Sequence, residues 1–256
     1  LTAATRPLTI CHRWSMKGGT NLWLESKAAD RPRNRVNSIM QSYMLKDIKS
    51  LIKEENLRAF NNLLILLAQR QGSISNVSSL ANEVGLSAKT IESYLELFAQ
   101  TYTVFPLSSY SSNYGNELRK SRKFYLFDPG IRNVLIKNFA PPENRPDTGI
   151  LAESFVFLEF NRLVSPETEL TFWRLKSGEE VDFIVSKNRK PYPVEVKSLR
   201  KIGDIPNGMR AFIRRYPKTE KAFVLNRDSE GETNFNDTKV IYAKWIDVPL
   251  LFDLME

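Results

Sequence analysis

The stretch Ser177 to Ser198, SGEEVDFIVSKNRKPYPVEVKS, constrains this chain more than any other. Val181, Phe183 and Val185 alternate with Asp182, Ile184 and Ser186, and Val194, Val196 and Ser198 alternate with Pro193, Glu195 and Lys197. Period-two alternation predicts two strands, each with one buried face. The polar run Lys187 to Lys190, KNRK, is the turn between them. A turn centred on Asn188 and Arg189 sets Ser186 opposite Pro191 and Asp182 opposite Glu195, with Cβ atoms ~4.5–5.5 Å apart. Lys197 then shares the face of Glu195, roughly 7 Å further along the strand.

Like charges directly opposed across a strand pair are destabilising, so something must offset Asp182 against Glu195. A divalent cation does so, because oxygen ligands suit Mg²⁺ or Mn²⁺. Lys197 is then placed to orient a water or to stabilise charge developing on a phosphate. The competing reading is a solvated hairpin face on which Asp182, Glu195 and Lys197 form surface ion pairs.

The rest of the chain narrows the class. Its 256 residues suggest one to two domains, and 42% hydrophobic with 26% charged residues is the composition of a soluble globular protein. A net charge of +8 allows an anionic partner such as nucleic acid without requiring one. One Cys and one His exclude a disulfide framework and a zinc site built on Cys and His pairs, and fit a reducing cytoplasm. The longest apolar run, Leu63 to Ala68, is too short to span a bilayer, so no membrane partner is expected. No basic-then-apolar leader opens the chain.

In chain order, residues 1–32 carry little periodicity and are expected to be irregular. Arg33 to Ile52 is an expected helix with Val36, Ile39, Met40, Tyr43, Met44 and Ile48 at helical spacing. Asn56 to Gln71 is a second, with Phe60, Leu63, Leu64, Leu67 and Ala68 on one face and Gly72 as its stop. In Asn76 to Tyr102, Ser78 or Ser79 caps a short helix carrying Leu80, Ala81 and Val84. Gly85 turns the chain, and Ser87 caps a longer helix with Ile91, Tyr94, Leu95 and Phe98 inward. This pattern resembles a helix-turn-helix. Strands at Val104 to Leu107 and Lys123 to Phe127, with the long loop between them, complete a winged helix. Its second helix presents Lys89, Glu92, Ser93, Glu96 and Gln100. The glutamates oppose phosphate binding, whereas Arg119, Lys120, Arg122 and Lys123 of the wing favour it, so DNA reading and protein docking both stand. A short helix at Ile131 to Phe139 and a Pro-rich linker at Ala140 to Thr148 close this part, giving expected units of 33–140 and 149–256.

The second unit is expected to run α-β-β-β-α-β. Its first helix, Gly149 to Val164, has Leu151, Phe155, Leu158 and Leu163 inward and carries Glu153 and Glu159. A strand at Glu169 to Leu175 precedes the hairpin. A helix at Ile205 to Tyr216 and strands at Lys221 to Leu225 and Val240 to Ala243 follow, then an apolar helix at Val248 to Met255.

An acid on the first helix, Asp on the second strand and Glu-x-Lys on the third resembles the core of the PD-(D/E)XK (restriction endonuclease-like) nuclease superfamily. The resemblance implies an α+β chain: a helical winged-helix domain followed by an α/β nuclease-like domain. It further implies that Glu153, Asp182 and Glu195 hold the metal and that Lys197 assists the attacking water. Glu159, six residues beyond Glu153, is the competing helix acid. Ser42-Tyr43-Met44-Leu45-Lys46-Asp47-Ile48, then Lys123-Phe124-Tyr125-Leu126-Phe127-Asp128-Pro129-Gly130, Glu153, Val181-Asp182-Phe183 and Glu195-Val196-Lys197 follow the order of one prokaryotic family. They resemble the C-terminal region of bacterial and archaeal AAA+-like ATPases, domain of unknown function 4143. That likeness implies an ATPase module upstream. The chain begins at Leu1, and the Walker A spacing G-x-x-x-x-G-K-[ST] is absent. No ATP site is therefore expected here, and the chain is expected to be a fragment or a remnant that lost its ATPase. The functional expectations are a Mg²⁺- or Mn²⁺-dependent nuclease, an inactive accessory module docking an ATPase or partner protein, or a DNA-binding regulator.

Overall fold

The computed structural model describes residues 56–110, 121–198 and 201–255. The expected segment 1–32, the expected helix at Arg33 to Ile52 with its Ser42 to Ile48 motif, and Arg119 and Lys120 of the expected wing lie outside the described residues.

Three helices open the described chain: α1 (Leu57–Gln69), α2 (Val77–Val84) and α3 (Ala88–Gln100). The apolar residues expected to face inward on α1 and α3 are buried together in one core, with Leu80 and Ala81 of α2 between them. The Ser87 side chain accepts from Thr90 N at the start of α3, and Gly85 closes α2 in the left-handed region at φ 75°. The cap of α2 is Asn76, which accepts from Ser79 N, and not Ser78 or Ser79. Asn is among the strongest capping residues and precedes both serines.

A hairpin follows, β1 (Val104–Ser108) paired antiparallel with β2 (Arg122–Leu126). The segment after α1 lies along β2, with Ser75 N donating to Arg122 O at 2.8 Å and Arg122 N returning to Ser75 O at 3.0 Å. Asp128-Pro129-Gly130 starts a helix rather than only breaking the chain. Asp128 caps α4 (Pro129–Leu135) by accepting from Gly130 N at 2.6 Å, and Pro129 takes the first helical position.

The residues expected to form a Pro-rich linker are fastened to α4. Arg132 and Arg145, both buried, converge on Asp147 at 2.6 and 2.5 Å. Hydrogen bonding from Arg145 foremost, with Arg132, holds the Asp147 carboxyl well below the usual carboxylate range.

The second half carries α5 (Thr148–Leu163), β3 (Thr168–Arg174), β4 (Glu180–Lys187), β5 (Lys190–Val196), α6 (Asn207–Arg215), β6 (Lys221–Asn226), β7 (Gly231–Phe235), β8 (Thr238–Lys244) and α7 (Val248–Asp253). The sheet order is β3-β4-β5-β6-β8-β7. β3, β4 and β5 pair antiparallel, β5-β6 and β6-β8 are parallel, and β7 folds back antiparallel on β8. The sequence did not signal β7, because GETNF has one apolar residue and no buried face.

Helices cover the sheet on both sides. α5 and α7 pack with Phe183, Val185, Val194, Phe223 and Leu225 on one face. α6 packs on the other, against Val224 and Val240 and against Trp173, Val181 and Ile184. The hairpin strands are therefore buried on both faces, as sheets covered on both sides require, and not on one face only. α5 buries Ala152, Val156, Phe157 and Phe160, whereas Phe155, Leu158 and Leu163 are partly buried. The expected inward face was displaced because this helix is apolar nearly all round and has neighbours on several sides.

β2 belongs to both halves. Phe124 and Leu126 enter the first core, whereas Tyr125, with Leu107 of β1, enters the core of the second half. The chain just beyond β1 also reaches the sheet edge, where Ser109 bridges Phe172 of β3. Among the described residues no helix is long and apolar enough to cross a membrane.

Candidate functional site

The β4-β5 turn places the acids. Asn188 and Arg189 both take positive φ, 53° and 64°, as a two-residue hairpin turn that matches strand twist requires. Ser186 pairs with Pro191 and Phe183 with Val194, so the ladder brings Asp182 and Glu195 side by side, as the sequence predicts. Beyond Phe183 the contacts pass to the carboxylates. Val196 N donates to Asp182 Oδ2 at 2.8 Å, and Asp182 N points at Glu195 Oε2 at 3.4 Å.

On its other side β4 slips register. Thr171 pairs with Ile184 and Trp173 with Val181, so β4 has one residue more than β3 over this step. The extra residue falls at Asp182-Phe183. A bulge of this kind re-aims side chains. It explains why Val181 and Ile184 share one cluster while Phe183 lies in the opposite one.

Lys197 follows the end of β5. Its N donates to Leu225 O at 2.8 Å and its O accepts from Trp245 Nε1 at 3.2 Å, which fixes the backbone. Lys197 Nζ reaches Glu195 Oε1 at 2.6 Å.

Glu153 comes from α5, and its surroundings come from the first half. Tyr125, stacked on Phe157 with ring centroids 4.1 Å apart, donates its hydroxyl to Glu153 Oε1 at 2.5 Å. Gly72, at φ 76°, approaches so closely that a Cβ there would lie 3.1 Å from Glu153 Oε1. The next residue of α5, Ser154, accepts from Gln71 Nε2, and Gln71 Oε1 accepts from Leu126 N at 3.0 Å. Glu159, the competing helix acid, is paired with Arg162 at 2.8 Å.

The residue that joins these acids is Lys123. Expected on an exposed wing, its side chain is 1% exposed and runs from β2 into the second half. Its Nζ lies 2.6 Å from Glu180 Oε1, 3.2 Å from Glu153 Oε1 and 3.9 Å from Asp182 Oδ1. A side chain so placed does not present its charge to a nucleic-acid backbone. Of the other expected contacts among the described residues, Lys89 and Arg122 are exposed. The glutamates Glu92 and Glu96 share the exposed face of α3 with Lys89.

The electrostatics follow from burial and crowding. Burial pushes Glu153 up to about 7, with Asp182 adding to the rise and Lys123 and Tyr125 opposing it. Burial pushes Glu195 up to about 8, with Asp182 again adding and Lys197 opposing. Burial by itself lowers a lysine pKa, but Glu153, Asp182 and Glu180 outweigh it and hold Lys123 above its ordinary value. The centre thus sets Lys123 and Lys197 against four carboxylates, two of which retain protons near neutrality.

The donor chemistry suits a hard divalent ion, since carboxylate oxygens are its usual ligands. The arrangement does not. Lys123 stands among Glu153, Glu180 and Asp182, Glu195 is bonded to Lys197, and Asp182 accepts from the backbone. Among the described residues no group of three or more acidic, His or Cys side chains is disposed to hold a metal ion. Sequence reasoning missed Glu180 and gave Lys123 to the wing. The available signal was the two-residue spacing of Lys123 and Tyr125, which puts a lysine on the same strand face as a large aromatic.

Comparison with known proteins divides the chain at nearly the place where α4 and α5 meet. Residues 21–141 match a family described as a domain of unknown function, DUF8612, and residues 148–246 match a second domain of unknown function, DUF4143. An uncharacterized protein of Mycobacterium tuberculosis is 28% identical over 134 residues, covering 52% of this chain and 30% of that protein. An uncharacterized protein of Mycobacterium bovis matches to the same extent. An uncharacterized protein of Methanocaldococcus jannaschii is 27% identical over 154 residues, covering 59% of this chain and 32% of that protein. The chain spans about a third of the length of these curated relatives.

Proposed function

We propose that this chain is a winged helix joined to a PD-(D/E)XK-type nuclease fold, acting as an accessory docking module of a longer protein and not as a free-standing nuclease. The observation that carries the reading is where the acidic centre faces. Glu195 is 5% exposed and Lys123 1%, and Tyr125 and Lys123 of the β1-β2 hairpin both engage Glu153, so that this acid and Asp182 face an ammonium of the chain itself and keep 17% and 14% of their side chains exposed. The order of elements supports the nuclease-type fold: an acid on α5, Asp182 on β4 and Glu195-x-Lys197 at the end of β5, followed by a parallel crossover through α6. The three helices, the hairpin and the Ser75-Arg122 bridge support the winged helix. By resemblance, the partner class is an ATPase module.

One observation favours the second reading, hydrolysis of nucleic acid at Asp182, Glu195 and Lys197. Lys197 keeps 34% of its side chain exposed while bonded to Glu195, so one side of the centre stays open to solvent. Incubation with single- and double-stranded DNA and RNA in MgCl₂ or MnCl₂ separates the two. The docking reading expects wild type to cut no faster than Asp182→Asn. Cleavage by wild type that Asp182→Asn abolishes would establish the hydrolytic reading instead.

A further inference from the structure

Lys123 poses a physical problem that its neighbours resolve. A buried lysine ammonium is costly unless it is paired and hydrogen-bonded. Its three donors meet Glu180 Oε1 at 2.6 Å and Glu153 Oε1 at 3.2 Å, with Asp182 Oδ1 at 3.9 Å, and the Phe172 ring lies 5.6 Å away. The reverse holds for the acids. Glu153 is enclosed by Gly72, Tyr125 and α5, and without a cation its charge would face Asp182 unopposed. Each side needs the other.

The stem of Lys123 is held as firmly as its head. On β2 it lies between exposed Arg122 and buried Phe124, and Tyr125 on the same face is stacked on Phe157. The backbone of β2 is pinned by β1 on one side and by Gly72 to Ser75 on the other. The ammonium is thus delivered by an ordered strand and not by a loose surface side chain.

A divalent ion and this ammonium compete for one place. Mg²⁺ bonds its oxygens at ~2.0–2.1 Å, so an ion on the same oxygens of Glu153 and Glu180 would press directly against Lys123 Nζ. Two cations so close in a buried site repel strongly.

We propose that Lys123 Nζ is the resident cation of this acidic centre, standing where nucleases of this residue order hold a divalent metal, so that the intact chain needs no metal there. The proposal rests on the docking reading and adds the group that makes the centre self-sufficient. The second half supplies the carboxylates and the hairpin supplies the counter-charge, so the two halves are joined by the interaction that a metal would otherwise provide.

The test uses the full chain as wild type, Lys123→Gln, and Lys123→Gln combined with Glu153→Gln, titrated with MnCl₂ or MgCl₂ alone in calorimetry and thermal unfolding. NaCl of equal ionic strength is the reference. Wild type is expected to give no binding heat and no change in Tm up to millimolar metal. Lys123→Gln is expected to unfold at lower temperature in NaCl, to regain Tm with MnCl₂, and to bind Mn²⁺ at least tenfold tighter than wild type. The double variant is expected to lose that response. Wild type binding Mn²⁺ as tightly as Lys123→Gln would overturn the proposal, as would a folded Lys123→Gln indifferent to metal. If Lys123→Gln does not fold, wild type decides: submillimolar Mn²⁺ binding refutes the assignment and its absence supports it. Metal binding without cleavage would sink only the role of Lys123, whereas metal-dependent cleavage by wild type would sink the docking reading.

Discussion

Asp182 is the residue on which the charge balance turns, because its charge adds to the rise that burial gives both Glu153 and Glu195. Glu153 is raised from 4.5 to about 7 and Glu195 from 4.5 to about 8. Over that range the folded chain holds protons that the unfolded chain has released. The stability contributed by these two groups is therefore full below the unfolded value, falls as pH rises and is gone above the folded values. Asp182→Asn removes the like charge and keeps an oxygen able to accept from Val196 N. It gives up only the 3.9 Å contact with Lys123. The expected outcome is an unfolding midpoint at about pH 8 equal to or above wild type, with a shallower decline between about pH 5 and 8. A midpoint lowered equally at every pH would show instead that Asp182 acts through its backbone bond and not through its charge.

At the level of elements, the approach of α6 to β4 is set by Gly208. A Cβ at this position would lie 1.7 Å from Glu180 O, so any side chain pushes the helix off the strand that carries Asp182 and contacts Lys123. Gly208→Ala is expected to destabilise by about 3 kcal/mol or more, at the upper end for overpacking, measured by urea unfolding. A loss under about 1 kcal/mol would mean that the contact yields at little cost. The same contact marks where sequence reading runs out. α1 and α3 were legible down to their buried residues because each has one apolar face and one neighbouring core. The Asp182-Glu195 register was legible because a two-residue turn leaves little freedom. The inward face of α5 was not, since Ala152, Phe155, Val156, Phe157 and Leu158 leave no polar side to orient it. β7 was not, because an edge strand with polar residues on both faces has no hydrophobic period. Lys123 was misplaced because its partners Glu153 and Glu180 lie far along the chain, and local pattern carries no information on contacts at that separation.

For the whole molecule, the matched regions at 21–141 and 148–246 suggest two separable parts, yet the packing does not separate there. Leu107 and Tyr125 are buried in the core of the second half, and Lys123 carries the countercharge for its acids. Expressed alone, residues 148–255 would expose the surface that Tyr125 covers and leave Glu153 beside Asp182 without its cation. Such a piece is expected to lack a cooperative thermal transition and to bind a hydrophobic dye, whereas a piece that includes the hairpin regains both order and transition. A cooperative, monomeric 148–255 would contradict the shared core.

The strand β2 has a consequence in time as well as in space. Chains grow from the N-terminus, and domains generally fold as they emerge. The hairpin is made before any residue of the second core it completes, so Tyr125 and Lys123 wait exposed while α5 and β3 to β5 are still being synthesised. During that interval the first half presents a stacking surface and one unpaired cation to whatever is nearby. The order of synthesis makes the earlier half the template on which the later one closes.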